Sequence, residues 1–411
     1  MRRILALIIV FVLALGSFGC SNKKDSSTDT VTNKDWETVL KEAKGTTVNF
    51  YGWGGSETTN KWIDEYLAKA VKEQYDITLK RVPMNIEDIL SKLLADKQGH
   101  NEKGTIDVVW INGENFYTAK QAGLLFGPFA EKLPNFSKYI DKDSIEVKSD
   151  FGYPVEGYEV PYGKAQFVMI HNSNKVSETP SNTEELLKFV KANPGKFTYP
   201  APPDFTGSAF VRNVIYDVVG YDKIANVKAD EESVKQVIQP AMDYLKQLKP
   251  YLWNSGKTYP ATIAQLDNMY ADNQLLMSMS YNPNSIPAKI KSGEYPKGTA
   301  SFIFDKGTVG NTHFLAVPFN STNKSGAMAV INAIISVEGQ VSKYNPEGWG
   351  DLPVLDNSKL TAEEKKKFEE IKLGEGVISQ EELLKHRVPE LPAQLVPIIE
   401  KIWSEQVPGD K

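Results

Sequence analysis

The sequence predicts a two-lobed α/β protein, each lobe a mainly parallel sheet flanked by helices, with a ligand cleft between the lobes. Three observations carry this expectation. At 411 residues the chain exceeds what a single hydrophobic core usually supports. From residue 48 onward, strand and helix patterns alternate in the β-α-β-α-β-α order of a doubly wound sheet. That rhythm breaks over 153–170 and a second α/β pattern starts, so the chain passes into another lobe and later returns.

The first strand, 48–52, runs into the turn Trp53-Gly54-Gly55-Ser56, and Trp62, Ile63, Tyr66, Leu67, Ala70 and Val71 then share one helical stripe. Ligands of open α/β sheets bind at the carboxyl ends of such strands, which makes this turn one wall of the cleft. It offers the backbone N–H groups of Gly54 and Gly55, a cap at Ser56 and the face of Trp53. Residues 77–82 form the next strand. Asn85 caps a helix in which Ile86, Ile89, Leu90, Leu93 and Leu94 keep the apolar spacing. A third strand, 106–110, is turned into another helix by Asn112-Gly113-Glu114-Asn115.

Past the break come a strand at 165–170, a helix opening at Thr183, a strand at 196–199, a helix over about 208–219 and a strand at 272–281. Residues 299–304 cross back, and 312–320 with a helix near 328–335 complete lobe one. The helical tail is assigned to lobe two, with capping boxes pairing Thr361 with Glu364 and Ser379 with Glu382, and Pro397 opening the last helix. The expected units are a leader at 1–20, a flexible tether at 21–34, lobe one at 35–165 plus 300–336, and lobe two at 166–299 plus 337–411.

The leader has Arg2 and Arg3 before an unbroken apolar run over 4–15, the length of a signal-peptide core and too short for a lasting membrane span. Cys20 follows Ser17-Phe18-Gly19 in a lipobox-like position and is the expected lipidation site. The polar run after it lacks the apolar residues needed to fold, and a lipid anchor on such a tether holds a soluble body at the outer face of a membrane. One cysteine supports neither a disulfide framework nor a thiolate metal site. The net charge of −5 leaves no basic face for nucleic acid.

Trp53, Trp110, Tyr281 and Trp349 lie at strand ends or in glycine-bounded loops. Flat apolar faces with polar edges suit a ring-shaped ligand, by stacking or, for a cation, by cation–π attraction of roughly 0.5–2 kcal/mol per contact. Asn112, Glu114 and Asn115 present hydrogen-bonding groups at the third strand's end, where Glu114 serves either a ligand or the helix N-terminus. Gln166 sits in the lobe crossing. Asp204 and Thr206 meet the ligand from lobe two or belong to the turn that starts a helix. Asn282, Asn311 and the loop 348–351 complete the candidates. His100, His171, His313 and His386 are far apart and form no metal spacing, and no nucleophile elbow, dinucleotide fingerprint or P-loop appears. No catalytic group, metal or cofactor is therefore assigned.

The leader, the two-lobed order and the crossing segments resemble the extracellular solute-binding proteins of ABC importers, of the type II periplasmic-binding-protein kind. The Trp-Gly-Gly turn at 53–55, the block 107–116 (Asp-Val-Val-Trp-Ile-Asn-Gly-Glu-Asn-Phe), the segment 123–128 and Gly163-Lys-Ala-Gln-Phe167 are similar to the YnjB-like subfamily over nearly the whole mature chain. The resemblance implies a monomeric receptor that takes a small molecule by hinge closure and hands it to permease subunits, with a thiamine-related compound as the implied ligand. A sugar or a polyamine fits the same walls. The alternative is a secreted hydrolase acting on glycan or cell-wall material, which the aromatic loops also suit.

Overall fold

The computed structural model describes residues 31–408, so the leader and the Cys20 lipidation site lie outside the described residues. In the first sheet Thr47–Gly52 pairs in parallel with Thr78–Pro83 on one side and with Val108–Ile111 on the other. Its pleat splits two cores. Val48, Phe50 and Val108 face one cluster with Trp62, Leu67 and the helix Lys324–Ile334, while Val109 and Ile111 face another with Ile89, Leu93 and Phe116. Helices on both faces are what a parallel sheet requires.

The long strand Thr308–Pro318, buried along its whole length, pairs antiparallel with Val108–Ile111 at one end. Glu159–Gln166 runs antiparallel beside it, and Arg387–Pro389 pairs in parallel with its start. The second sheet is small: Val168–Asn172 lies between Thr299–Phe302 and Met277–Ser280, and both pairings are antiparallel. Its apolar face and the helices Phe205–Val218, Glu231–Leu248 and Leu395–Gln406 enclose the second core. The two-lobed α/β arrangement is therefore present, with a mixed first sheet and an antiparallel second one. The chain crosses between lobes at Phe167 and again between Phe302 and Thr308, where Phe167 N–H donates to Val309 O at 2.8 Å.

Several boundaries differ from the sequence reading. The tether does not extend to residue 34: Val31–Asn33 forms a 3₁₀ turn with Val31 buried, and Lys34 pairs with Glu42 at 2.6 Å. Residues 299–302 belong to the second sheet, so the return begins after them. Residues from 337 to about 369 pack on lobe one, because Val337 joins Tyr139 and Leu360, and Gln340 donates to Tyr162 O at 2.8 Å. Residues 196–199 form no strand. Lys196 O and Phe197 O each accept one bond from a different segment, and Pro200 halts any further pairing.

Candidate functional site

The loop after the first strand is built around small residues. Gly52 lets the Trp110 indole lie across the strand end, since a Cβ there would stand 3.2 Å from Trp110 Cβ. A Cβ on Gly55 would collide with the Trp53 ring, which folds over that glycine and stays 46% exposed. Ser56 caps the next helix by accepting from Thr59 N–H, and Asn60 Nδ2 donates to Gly54 O at 2.8 Å. At the third strand, Asn112 is the N-cap residue of Gly113–Gln121; its Oδ1 accepts from Trp110 Nε1 at 2.9 Å and its Nδ2 donates to Thr312 O. Gly113 N–H donates to the buried Asp150 carboxylate, and Glu114 follows in the first turn of the helix.

The lobe-two wall is a connected polar chain. The Tyr281 hydroxyl donates to Glu390 Oε1 at 2.6 Å. Arg212 pairs with the same carboxylate, Nη2 to Oε1 at 3.1 Å and Nε to Oε2 at 3.0 Å. Arg212 Nη1 donates to Ser208 Oγ at 2.7 Å, and Ser208 donates to Glu400 Oε1 at 2.6 Å. Phe205, 42% exposed, sets its ring 5.0 Å from that of Tyr281. Glu114 feels Arg212, Glu390 and Glu400 across the gap. Burial pushes its carboxyl up to about 7, with the two glutamates adding to the rise and Arg212 opposing it. Burial likewise raises Glu400.

Beside this gap stands an aromatic block. The rings of Trp110, Tyr162, His313 and Trp349 lie within 5.3–6.5 Å of one another. Beneath it Lys343 Nζ bonds Asp351 Oδ2 at 2.5 Å, and His313 Nε2 contacts Asp351 Oδ1 at 3.2 Å. Burial alone would raise Asp351, but Lys343 and His313 outweigh it and hold the carboxyl below its usual range. Asn282 Nδ2, from lobe two, donates to Trp349 O at 3.2 Å and ties the lobes together at this edge.

The residues expected at the cleft separate into groups. Trp53, Gly54, Gly55 and Ser56 follow the first strand, Glu114 and Asn115 open the helix after the third, and Tyr281 follows Met277–Ser280, while Thr206 is buried in the first turn of Phe205–Val218. Trp110 and Asn112 stand at the end of the third strand, joined by the bond between them. Others differ from expectation. Gln166 is fully buried and donates to Thr308 Oγ1 and His386 O, so it fastens the crossing strands out of a solute's reach. Trp349 is 5% exposed and belongs to the lobe-one core. Asn311 is buried within the long strand rather than a loop. Asp204, not Thr206 or Ser208, is the helix cap, accepting from Thr206, Gly207 and also Ile263 N–H. Asn282 caps a short turn besides holding Trp349.

Arg212, Glu390, Glu400 and Lys343 were not anticipated. Arg212 alone left a trace, as the one basic residue of a largely apolar helical run, since such a residue needs a buried partner. A groove of about 1300 Å³ runs beside residues 145–157 and 384–390, with Asp150 of lobe one and Glu390 of lobe two both in its lining.

Two α/β lobes joined by crossing strands are the frame of a solute-binding protein. The chain belongs to the bacterial extracellular solute-binding protein family, whose pattern matches residues 66–370. Protein YnjB of Escherichia coli (strain K12) is 37% identical over 328 residues, 79% of this chain and 84% of that protein. The fold is shared with an ABC transporter protein from Clostridium perfringens ATCC 13124, at TM-score 0.59 and 18% identity, over 88% of this chain and 99% of that one. It is shared too with the spermidine/putrescine substrate-binding protein PotD of Streptococcus pneumoniae, at TM-score 0.61 and 14% identity, over 88% and 98%. The fructose-6-phosphate-bound AfuA of Actinobacillus pleuropneumoniae gives 0.60 and 13%, again over 88% and 98%. The protein is thus an extracellular solute-binding protein. Among the described residues no helix is long and apolar enough to cross a membrane.

Proposed function

We propose that the solute is a small ring-bearing molecule held between Trp53 of lobe one and the Phe205–Tyr281 pair of lobe two, and that closure of the lobes is the signal the permease reads. The observation that carries this is the exposure of Trp53 and Phe205, 46% and 42%, among aromatic residues otherwise largely covered. Large apolar faces left in water at a cleft mark a place where a partner will cover them. A ligand seated on one wall gains contacts with the other only when the lobes approach, so binding shifts the open–closed equilibrium. Gly54, Gly55, Ser56 and Asn115 add hydrogen-bonding groups on the lobe-one side. A thiamine-related compound is the particular candidate, suggested by the kinship with YnjB. The protein acts as a monomer without catalysis, and Cys20 carries the lipid that keeps it at the membrane.

The test combines small-angle scattering with calorimetry on the purified mature protein. Compaction on adding thiamine or another ring-bearing metabolite supports the reading, as does weaker binding by Trp53→Ala of about 1–3 kcal/mol, the range for a lost aromatic contact. An unchanged radius of gyration across a broad metabolite panel removes the hinge from the function.

A further inference from the structure

The groove of about 1300 Å³ contains buried donors that the fold leaves without acceptors. Arg387 opens the short strand that pairs with the start of Thr308–Pro318. Its side chain lies against Gly310, where a Cβ would stand 2.9 Å from both Cγ and Nε, so the guanidinium crosses the strand only because that residue is glycine. Nε donates to Glu146 Oε1 at 2.8 Å and Nη2 to Asn311 O at 2.9 Å. Nη1 is buried and has no hydrogen-bond partner among the described residues. Thr312 stands two residues beyond Gly310, hence on the same face of the strand. It is 6% exposed, and its hydroxyl is likewise unpartnered among the described residues. Arg387, Gly310 and Thr312 all line the groove.

A buried donor without an acceptor is costly, and two on one face of a groove mark the place of an acceptor from outside the chain. The local charge gives its sign. Lys164, opposite Thr312 in the strand register, bonds the second oxygen of Glu146 at 2.7 Å. One carboxylate therefore serves two cations, Lys164 and Arg387, and one positive charge is left over. The other acids of the lining do not cancel it. Glu390 is held by Arg212, while Glu131, Asp143 and Glu156 each face a lysine. Burial pushes Asp150 and Glu159 toward their neutral forms. A surplus positive charge beside two free donors fits an oxyanion rather than a cation. Ile145 and Leu384, 69% and 49% exposed, line the same groove from two different helices and offer apolar surface for a carbon skeleton.

We propose that this groove is a binding site for a small organic oxyanion, a carboxylate or a phosphate ester, whose anionic group accepts from Arg387 Nη1 and Thr312 Oγ1 and whose carbon skeleton covers Ile145 and Leu384. The site goes beyond the ring-bearing solute of Trp53 and Phe205 and does not depend on it.

The experiment titrates the purified mature protein by calorimetry with succinate and glycerol 3-phosphate as organic oxyanions, inorganic phosphate as the bare anion and glycerol as the neutral control. The expected result is saturable binding of at least one organic oxyanion and none of glycerol. Binding should weaken at least tenfold in Thr312→Val, which removes the hydroxyl and keeps the shape, and in Arg387→Lys. Thr312→Val breaks no hydrogen bond of the chain, so it stays informative if Arg387→Lys, which disturbs the Glu146 and Asn311 contacts, does not fold. A response to succinate alone makes the site a carboxylate site, and a response to glycerol 3-phosphate alone a phosphate site; either supports the proposal. Crystals soaked in selenate give an independent arm, with an anomalous peak expected within hydrogen-bond reach of Arg387 Nη1 and Thr312 Oγ1. Silence toward both organic oxyanions overturns the proposal. So does binding undiminished in folded Thr312→Val, inorganic phosphate binding as tightly as either organic anion, or selenate found only elsewhere.

Discussion

Arg212 and Glu390 meet 178 positions apart in sequence, through contacts of 3.0 and 3.1 Å between side chains that are 1% and 4% exposed. Glu390 directly follows Arg387–Pro389, which pairs with the long strand entering lobe one, so the ion pair bolts the hinge to the lobe-two wall. Removing one partner leaves an uncompensated buried charge. Glu390→Ala is expected to lower stability by about 3–5 kcal/mol. An Arg212→Met, Glu390→Leu double variant should recover most of that loss, because the pair's own desolvation offsets much of its attraction. Urea denaturation of the two variants beside the parent protein measures both; a double variant as weak as the single would show that the charges add net stability.

Asp204 separates capping from ligand contact. Its Oδ1 accepts from Thr206 and Gly207 N–H at 3.0 and 2.9 Å and its Oδ2 from Ile263 N–H at 2.9 Å. Both oxygens are thus committed to the starts of two helices. Asp204→Ala should cost about 1–3 kcal/mol by freeing three buried donors. Asp204→Asn keeps one accepting oxygen and should cost less. Neither should alter solute affinity once the protein is folded, measured by calorimetry below the melting range. A tenfold affinity loss in Asp204→Asn at intact stability would return Asp204 to the list of ligand contacts.

Much of lobe one was legible because its information is local. A strand, a glycine turn and an apolar stripe follow one another within thirty residues, and Val48, Phe50, Trp62 and Val71 reach the core as their spacing requires. Trp53 and Tyr281 directly follow the strands Thr47–Gly52 and Met277–Ser280, as the local pattern requires. What stayed hidden depends on distant partners. Nothing near Glu390 or Glu400 in sequence announces Arg212 or Glu114. Residues 337–369 carry ordinary amphipathic patterns, which say that a helix buries one face but not which lobe supplies the cover. Gln166 and Trp349 looked available to a solute because sequence does not show what lies above a side chain; strand pairing covers the first and the Trp62–Tyr162 cluster the second.

Gly163 is held small by the buried pair behind the aromatic block. A Cβ added there would fall onto Asp351 Oδ2 and stand 2.7 Å from Lys343 Nζ. Lys343 is fully buried and lies over the rings of Tyr162 and Trp349, 5.6 and 5.2 Å from their centroids, so it has no free space to yield. Gly163→Ala is expected to destabilise by about 1–3 kcal/mol, the usual cost of overpacking. Trp349 fluorescence should change with it, since the indole rests on the displaced ammonium. An alanine variant with unchanged denaturation midpoint and emission would mean the pair relaxes freely.

Glu114 ties stability to pH. Its folded carboxyl titrates near 7 because burial, then the facing Glu400 and Glu390, disfavour its charge, while Arg212 only partly opposes them. An unfolded glutamate titrates near 4.3, so between these values the folded chain keeps a proton that the unfolded chain has released. Stability attributable to this residue therefore falls as pH rises from about 4.3 to about 7. The penalty is complete above that window and absent below it. Glu114→Gln removes it, and should gain on the order of 2 kcal/mol at pH 8 once partial exposure is allowed for, with no gain at pH 4. Denaturation midpoints of both proteins at pH 4, 6 and 8 measure the effect. A stability difference that does not vary with pH would place Glu114 among ordinary solvated carboxylates.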